Sequence, residues 1–181
     1  IKTAYDFKHK SDVGGVKMNI FDSDDAKLAY TEMANRLGPK ALLMEMAPAD
    51  VEVSFGAIYD EDFGMVVIVS AGGVLIELLN DKVAALAPFN SELAKDLLTE
   101  MSVSRLLSGY RGRPAADTDG LALQLARFSQ MVALLGNAIS EIDINPVTCG
   151  PDGAFAVDFL LVPKANYSGD KDLCLEAREN M

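Results

Sequence analysis

Residues 139–162 read ISEIDINPVTCGPDGAFAVDFLLV, and this stretch decides how the chain closes its sheet. Apolar and polar side chains alternate before residues 150–153, whose sequence Gly-Pro-Asp-Gly is typical of a tight turn, and a mainly apolar run with a single aspartate follows them. Alternation with a period of two indicates a half-buried strand. The stretch therefore predicts a hairpin with one strand over residues 139–148 and the other over residues 154–162.

The polar face of this hairpin carries the candidate site residues. Glu141, Asp143 and Asn145 share one face because side chains alternate along a strand, and the isoleucines between them face the core. With the turn at the centre of the hairpin, Asn145 lies opposite Asp158 and Asp143 lies opposite Leu160. Because Cβ atoms of directly opposed residues lie about 5 Å apart, we expect these polar side chains to converge on one small patch.

Two interpretations of this patch stay open at the level of the residues. Clustered carboxylate and amide oxygens repel one another unless a cation joins them. Mg²⁺ takes few protein carboxylates and fills its other positions with water and phosphate oxygens, so the patch suits a magnesium–nucleotide complex. The solvent-facing side of an ordinary hairpin has the same pattern of residues.

The rest of the chain mixes strands with helices. Ser23 is the predicted N-cap of a helix that ends before Gly38-Pro39, while residues 74–87 fit a helix by propensity and a strand by alternation. Hairpins followed by helices and a closing hairpin predict an α+β fold of packed layers. The predicted elements are strands over residues 16–20, 41–46, 51–59 and 65–70 and helices over residues 23–37, 90–101 and 117–135.

Composition and charge argue against several classes of function. Half of the 181 residues are hydrophobic and the net charge is −11, which disfavours nucleic acids and membranes as main partners because both attract basic surfaces. The longest apolar stretch, residues 65–76, is too short to span a bilayer. The two cysteines lack metal-ligand spacing, so we expect a cytoplasmic protein. Since Ile1 reads as mid-strand, we also expect a fragment.

His9, the only histidine, lies in a basic loop that closes on Gly14-Gly15. Neutral imidazole is a nucleophile near pH 7, and lysines neutralise a phosphoryl group. A glycine pair lets the backbone approach an anion. A lone histidine in a basic loop is more often simply exposed, and the loop by itself favours that second interpretation.

Taken in order along the chain, these motifs resemble the ATP-grasp domain of NDP-forming acyl-CoA synthetases. The closing hairpin also resembles the β subunit of succinyl-CoA synthetase, a related ATP-grasp enzyme. The resemblance runs from residue 1 to about residue 162. The segments that carry it are His9-Lys-Ser-Asp-Val-Gly-Gly-Val16, Asp62-Phe-Gly64, Gly72-Gly73, Glu77, Asp81, Ala87-Pro88, Gly109-Tyr-Arg-Gly112, Glu141-Ile-Asp-Ile-Asn-Pro146 and Ala156-Val-Asp158.

The resemblance implies a fold and a division of the chain. The implied fold is the α+β ATP-grasp fold, with two α/β lobes and mixed or antiparallel sheets. Residues 1–45 correspond to the C-terminal part of the first lobe with the histidine loop, and residues 46–163 correspond to the second lobe. Residues 164–181 are a tail or linker. The family pattern also implies strands over residues 74–87, against local helix propensity.

The resemblance further implies roles for individual residues. Asn145 and Asp158 correspond to Mg²⁺ ligands, and Asp143 corresponds to a supporting acid. His9 corresponds to a histidine that relays the phosphoryl group, and Arg111 corresponds to a phosphate contact. The implied nucleotide contacts are Lys2 on the ATP phosphates, the backbone of the hinge Met44-Glu45-Met46 on adenine, and Glu52 near the ribose.

The implied enzyme is an ADP-forming acid–thiol ligase that uses ATP, Mg²⁺ and coenzyme A. Acyl-CoA and phosphate give acyl phosphate, which phosphorylates a histidine on a CoA-ligase domain. A histidine of the ATP-grasp domain then passes the group to ADP, and the reverse direction makes acyl-CoA. The CoA-binding and CoA-ligase domains, which hold most of the coenzyme A site, are the expected partners, and the fragment alone is expected to be inactive.

Some positions depart from the family pattern. Residues 47–50 lack the usual glycine pair, Met65 stands where proline is usual, and residues 70–73 have lost one glycine. Two alternatives therefore stay open. One is a non-catalytic nucleotide-binding regulatory region, as in fusions with an acetyltransferase, and the other is a different ATP-grasp carboxylate ligase in which His9 is structural. The sequence names neither the activated acid nor the choice between ATP and GTP.

Overall fold

The computed structural model of the chain describes residues 1–5, 10–48, 50–72 and 80–164. The predicted relay residue His9 and the strand implied for residues 74–79 lie outside this part of the chain. The described residues form two compact units, Ile1–Ala47 and Pro48–Met181. The assignment of these units to the two lobes, with a boundary after residue 45, stays a prediction. Within the described ranges, no helix is long and apolar enough to cross a bilayer.

The first unit contains a two-stranded sheet and one helix. β1 (Lys2–Thr3) pairs antiparallel with β2 (Ala41–Leu42), and α1 (Ser23–Leu37) follows the loop between residues 10 and 22. Asp22, rather than the predicted Ser23, is the N-cap, and its carboxylate accepts hydrogen bonds from two N–H groups of the first turn at 2.9 Å. The helix ends at the predicted residue because a glycine with a positive φ follows.

Two predicted strands of this unit are shorter than the sequence indicates. The strand predicted over residues 16–20 is wrong, since only Val16 forms an isolated bridge, with Lys2. Asn19 has a φ of 59°, in the left-handed region, which interrupts an extended segment. The strand predicted over residues 41–46 is confirmed only for β2, and the remaining four residues belong to no strand.

The second unit is built on a six-stranded antiparallel sheet. Its strands are β3 (Val51–Asp60), β4 (Gly64–Ala71), β5 (Lys82–Leu86), β6 (Ile139–Gly150), β7 (Gly153–Ala156) and β8 (Phe159–Pro163). Their order across the sheet is β5-β4-β3-β6, and the far edge of β6 pairs with β7 along one part and with β8 along the other. β6 is therefore held on both sides.

Three helices accompany this sheet. They are α2 (Ser91–Glu100), α3 (Ser104–Leu107) and α4 (Thr118–Leu135), and a short 3-10 turn at residues 136–138 connects α4 to β6. Asn90 caps α2 through a hydrogen bond from a first-turn N–H at 3.0 Å, and Asp117 caps α4 in the same way at 2.9 Å. Both long helices were predicted to within one residue at each end, and α3 was not predicted.

One face of the sheet packs on the helices. Alternate residues of β3 and β4 are buried there, as the period of two requires, and they share one core with apolar residues of α2 and α4. Phe55 of β3 contacts Phe128 of α4, with ring centroids 5.8 Å apart. The opposite face of β6 carries Asp143 and Asn145, so the helices leave the candidate site uncovered.

The structure also resolves part of the ambiguous segment. The strand implied by the family pattern is confirmed over Lys82–Leu86. The second arm of the closing hairpin, predicted as one strand over residues 154–162, is divided into β7 and β8 by residues 157 and 158. The division lies opposite a bulge in β6, described below.

Asp81, at the start of β5, ties the sheet to α3. Its two carboxylate oxygens accept hydrogen bonds from the N–H groups of Ser102 and Val103, each at 2.8 Å. Val103 is the N-cap position of α3, and it makes no side-chain cap of its own. Asp81 therefore caps this short helix from a distant part of the sequence.

We expect Asp81→Ala to lower the free energy of unfolding by about 1–3 kcal/mol, because two N–H groups lose a charged acceptor. Urea denaturation followed by circular dichroism measures the loss. Asp96→Ala is the control, since Asp96 is an exposed carboxylate of α2, and its loss should stay within about 0.5 kcal/mol. Equal losses in the two variants would contradict the capping role.

Candidate magnesium and phosphate site

The predicted register of the closing hairpin is confirmed. Asp143 pairs with Leu160 across β6 and β8, as the turn geometry required. The N–H of Asn145 donates to the carbonyl oxygen of Asp158 at 3.0 Å, so these two residues also lie opposite each other. The two proposed metal ligands come from separate segments that the sheet places side by side.

A β-bulge lies at this point of β6. Val53 pairs with Val147 and Phe55 pairs with Ile144, so a single residue of β3, Ser54, stands opposite both residues 145 and 146. Residue 146 is a proline, which has no N–H to give to the neighbouring strand. Bulges redirect side chains and are frequent beside functional sites. The bulge therefore displaces the backbone at the proposed ligand Asn145.

The bulge is matched by the gap between β7 and β8. The N–H of Val157 donates to the carbonyl oxygen of Pro146 at 2.9 Å, next to the bond between Asn145 and Asp158. Asp158 also accepts a hydrogen bond from the N–H of Phe159 on its Oδ1, at 3.0 Å. These backbone contacts fix the position of Asp158 although it belongs to no strand.

The pKa of the Asp143 carboxyl is raised by its surroundings at this face of the sheet. Burial, and next the negative charge of Glu141, raise the pKa of Asp143 above its ordinary value, while a side-chain hydrogen bond with Asn145 lowers that pKa in part. A cation bound here would stabilise the ionised carboxylate that the protein alone disfavours.

Two features near Asp143 were not recognised in the sequence. A Cβ atom on Gly56 would lie 3.7 Å from Oδ1 of Asp143, so the neighbouring strand presents only a glycine beneath this carboxylate. Ser54, the residue of β3 opposite the bulge, forms a buried hydrogen bond of 2.6 Å with the hydroxyl of Ser70 on β4. The proline at residue 146 and the glycine at residue 56 are the sequence signals of an irregular strand pairing at this place.

The other predicted residues of this unit lie on separate elements. Glu52 is half-buried on β3 and pairs with Thr148, and its carbonyl oxygen accepts from the N–H of Gly72 at 2.7 Å. Arg111 lies at the tip of the loop after α3 with a φ of 51°, and its guanidinium carbon is 5.2 Å from the centre of the Tyr110 ring. In the part of the chain that the structure describes, no hydrogen bond or ion pair joins the Arg111 side chain to the carboxylates of β6.

The hinge lies in the first unit and lines a cleft there. Met44, Glu45 and Met46 are exposed and bound a cavity of about 540 Å³, together with Lys17 and Phe21. Further lining residues come from the N-terminal residue and from the start of α1. The backbone N–H and C=O groups of residues 44–46 are not used in strand pairing, so they are suited to hydrogen-bond a flat heterocycle. This is the role predicted for the hinge.

Lys2 belongs to the same unit and occupies a central position in its small sheet. Its backbone pairs with Leu42 on one side and forms the bridge to Val16 on the other. The structure therefore brings together Asp143, Asn145 and Asp158 in the second unit, and it places Lys2 and the hinge in the first. In the described ranges, no group of three or more histidine, cysteine, aspartate or glutamate residues forms a metal cluster.

The donor set nevertheless fits magnesium. Two carboxylates and one amide oxygen supply the few protein ligands that Mg²⁺ takes, and phosphate oxygens and water supply the others. The absence of a histidine or thiolate among the three residues disfavours zinc and other softer metals. Burial, and next the negative charge of Glu141, raise the pKa of Asp143, and a divalent cation would offset both effects by favouring the ionised carboxylate.

Comparison with known proteins agrees with this architecture. The family described as ATP-grasp domain matches residues 2–162, which is most of the chain. The chain therefore belongs to the ATP-grasp domain family. Within that family, relatives of this chain include ADP-forming acyl-CoA ligases, which confirms the resemblance drawn from the motifs.

Two relatives define how much of an enzyme the chain represents. The chain is 35% identical to ADP-forming acetate–CoA ligase I of Archaeoglobus fulgidus over 87% of its own length, but it spans only 24% of that protein. It is 34% identical to the beta subunit of ADP-forming acetate–CoA ligase I of Pyrococcus furiosus, over 85% of this chain and 69% of the subunit. The same domain thus occurs as part of a long chain and as a separate subunit.

A solved structure supports the fold. The dinucleotide forming acetyl-coenzyme A synthetase 1 of Ca. Korarchaeum cryptofilum, in complex with coenzyme A and Mg-AMPPCP, superposes with a TM-score of 0.80 at 32% identity. The match covers 91% of this chain and 75% of that one. The ATP-grasp fold predicted from the sequence is therefore confirmed.

We expect the free energy of unfolding, measured in the presence of EDTA, to fall as the pH rises from the ordinary pKa of aspartate through the raised pKa of Asp143. In that window the folded state binds this proton more tightly than the unfolded state does, so stability decreases with pH. Asp143→Asn should remove this contribution. Asp152→Asn, in the exposed turn of the hairpin, is the charge-matched control and should follow the wild type. Parallel curves for the wild type and Asp143→Asn would contradict the expectation.

Proposed function

We propose that this chain is the nucleotide-binding portion of an ADP-forming acyl-CoA synthetase, in which Asn145 and Asp158 bind the magnesium ion of the nucleotide. The observation that carries the proposal is the opposition of these two residues across the bulge in β6, fixed by the 3.0 Å backbone hydrogen bond. The family membership supports the same assignment. The relatives named above are acid–CoA ligases, and that activity comes to this chain as part of the proposal.

The three polar residues divide the work at the metal. Asn145 and Asp158 would be direct ligands, and Asp143, hydrogen-bonded to Asn145, would orient the amide and add negative charge. When bound, Mg²⁺ neutralises charge that develops on the transferring phosphoryl group. Such a reaction depends on positioning more than on covalent chemistry, so the rigid sheet is a suitable support.

The nucleotide contacts follow from the positions of the remaining predicted residues. The exposed backbone of Glu45 and Met46 would hydrogen-bond the adenine, and Glu52 would lie near the ribose. Lys2 would contact the phosphates of ATP or ADP, and Arg111 would add a further phosphate contact. The 540 Å³ cleft beside the hinge supports this assignment, because it is large enough to accept a purine ring.

Phosphoryl transfer would involve partner domains. In the Ca. Korarchaeum cryptofilum enzyme, a phosphohistidine segment points towards the nucleotide binding site. We infer that an equivalent segment, on the CoA-binding and CoA-ligase part of this enzyme, delivers the group and that His9 relays it. Transfer to His9 would break the N–P bond of the phosphohistidine and form a new N–P bond to His9. Transfer to ADP would then break this second N–P bond and form an O–P bond to the terminal phosphate of ADP.

Coenzyme A and the acyl group would be held mainly by those partner domains. The chain spans 24% of the single-chain relative, which leaves ample polypeptide for these sites. The predicted cytoplasmic location and the identity of the acid stay predictions. Neither regulatory nor other ligase functions receive separate support from the geometry, and they become outcomes of the experiments below.

We expect Asp158→Asn, introduced into the full synthetase, to weaken the binding of Mg-ADP by about tenfold or more, because one anionic ligand is lost. Isothermal titration with and without Mg²⁺ measures this change. Asp152→Asn removes the same charge from the turn of the same hairpin and should leave the affinity unchanged. The metal assignment is wrong if both variants bind Mg-ADP like the wild type.

We expect γ-labelled ATP to transfer its label to His9 in the full synthetase, as detected by mass spectrometry under alkaline conditions that preserve phosphohistidine. His9→Ala should remove the label from this domain and lower turnover by about a hundredfold or more, as loss of a covalent nucleophile does. Unchanged turnover in His9→Ala would favour a different ATP-grasp ligase. Nucleotide binding without any labelled histidine or turnover would favour a regulatory region.

A further inference from the structure

β8 is an apolar strand at the edge of the sheet. Its sequence, Phe-Leu-Leu-Val-Pro, contains no charged or hydrogen-bonding side chain, yet Phe159 is 67% exposed and the next three residues are exposed by 37% to 41%. One edge of β8 pairs with β6, and no other strand in the described ranges pairs with its outer edge. Exposed apolar strand edges favour pairing with another polypeptide.

Both faces of β8 contribute to this exposure. Phe159 and Leu161 pair directly with Ile144 and Ile142, so they lie on the side of the sheet that packs on the helices. Ile142 is buried in the core, whereas its partner Leu161 is 40% exposed. The helix layer therefore ends before β8. Leu160 lies on the opposite side, beside Asp143.

The strand is firmly attached despite its exposure. The hydroxyl of Ser140 donates to the carbonyl oxygen of Val162, and the N–H of Lys164 donates to the carbonyl oxygen of Ala138, both at 3.0 Å. The Lys164 ammonium lies 4.6 Å from the centre of the Tyr59 ring. These contacts hold β8 in a fixed geometry, so its apolar surface is preorganised for a partner.

Charge and position indicate which partner fits. A second copy of this chain would bring another net charge of −11, and repulsion between two such surfaces disfavours self-association. Phe159 follows the proposed metal ligand Asp158 directly, and its N–H donates to that carboxylate. A polypeptide that pairs with the outer edge of β8 therefore lies within about two residues of the proposed metal ligand, with Leu160 on the same side of the sheet as Asp143 and with Phe159 on the side of the helices.

We propose that β8 is the docking strand for the part of the synthetase that carries the phosphohistidine, which binds it through an apolar surface and a free strand edge. This inference rests on the proposed function. Docking at β8 couples two events, because the same short segment holds the partner through its apolar side chains and supplies the metal ligand Asp158. The position of β8 in the sheet then sets the position of the partner relative to Asp158.

Site-specific photo-crosslinking in the assembled synthetase tests the proposal. Phe159 is replaced by p-benzoylphenylalanine, and Phe63 is replaced in the same way in a matched control. Phe63 lies in the β3–β4 turn and is 68% exposed, so the two positions differ in location and not in exposure. We expect the probe at residue 159 to crosslink to the CoA-ligase region and the probe at residue 63 to leave that region unlabelled.

Three crosslinking results would overturn the proposal. They are crosslinks from residue 159 to a second copy of this chain, crosslinks to its own residues 165–181, and the same yield of CoA-ligase crosslinks from both positions. A rate measurement gives independent evidence. Phe159→Ser should slow phosphoryl transfer from the partner's histidine to ADP by about tenfold, the loss typical of a truncated aromatic anchor, while Phe63→Ser leaves the rate unchanged. Equal rates in the two variants would also refute docking at β8.

The binding of Mg-ADP separates this proposal from the proposed function. Titration of the wild type and of Phe159→Ser should give the same affinity, because Phe159 contributes only its side chain to the apolar surface. Failure of the wild type to bind Mg-ADP would reject the proposed function itself. Normal binding of Mg-ADP combined with unaltered transfer in Phe159→Ser would reject only the docking strand.

Discussion

The pairing of β6 with its two neighbours is the constraint on which the candidate site depends. β3 holds one edge of β6, and β7 and β8 hold the other. Because side chains alternate, a slip of one residue would turn Asp143 and Asn145 into the core and would expose Ile142 and Ile144. The burial of those isoleucines therefore sets the direction in which the polar residues point.

The site combines this rigid register with a local irregularity and an electrostatic cost. The bulge at Asn145 and Pro146 and the gap at Val157 and Asp158 face each other and are joined by two backbone hydrogen bonds. The raised pKa of Asp143 means that the ion-free protein holds this carboxylate ionised at some expense of stability. Burial is the larger cause of this raised pKa, and the negative charge of Glu141 adds to it.

The hinge contacts predicted for the nucleotide and the candidate metal ligands lie in different units. The hinge and Lys2 lie in Ile1–Ala47, and the carboxylate face lies in the unit that begins at Pro48. The relatives carry this domain either within a much longer chain or as a subunit.

The sequence by itself determined what local rules control. Local sequence patterns predicted α2 and α4 to within one residue at each end, and the turn at residues 150–153 predicted the correct opposition of Asn145 and Asp158. Only the tertiary structure decided the bulge, the division of the last strand and the cap of α3 by Asp81, since each arises from a partner distant in the chain. Likewise, the strand predicted over residues 16–20 failed because the conformation of Asn19 overrides alternation. Short-range periodicity records which face is buried, but it contains no information about which strand lies alongside.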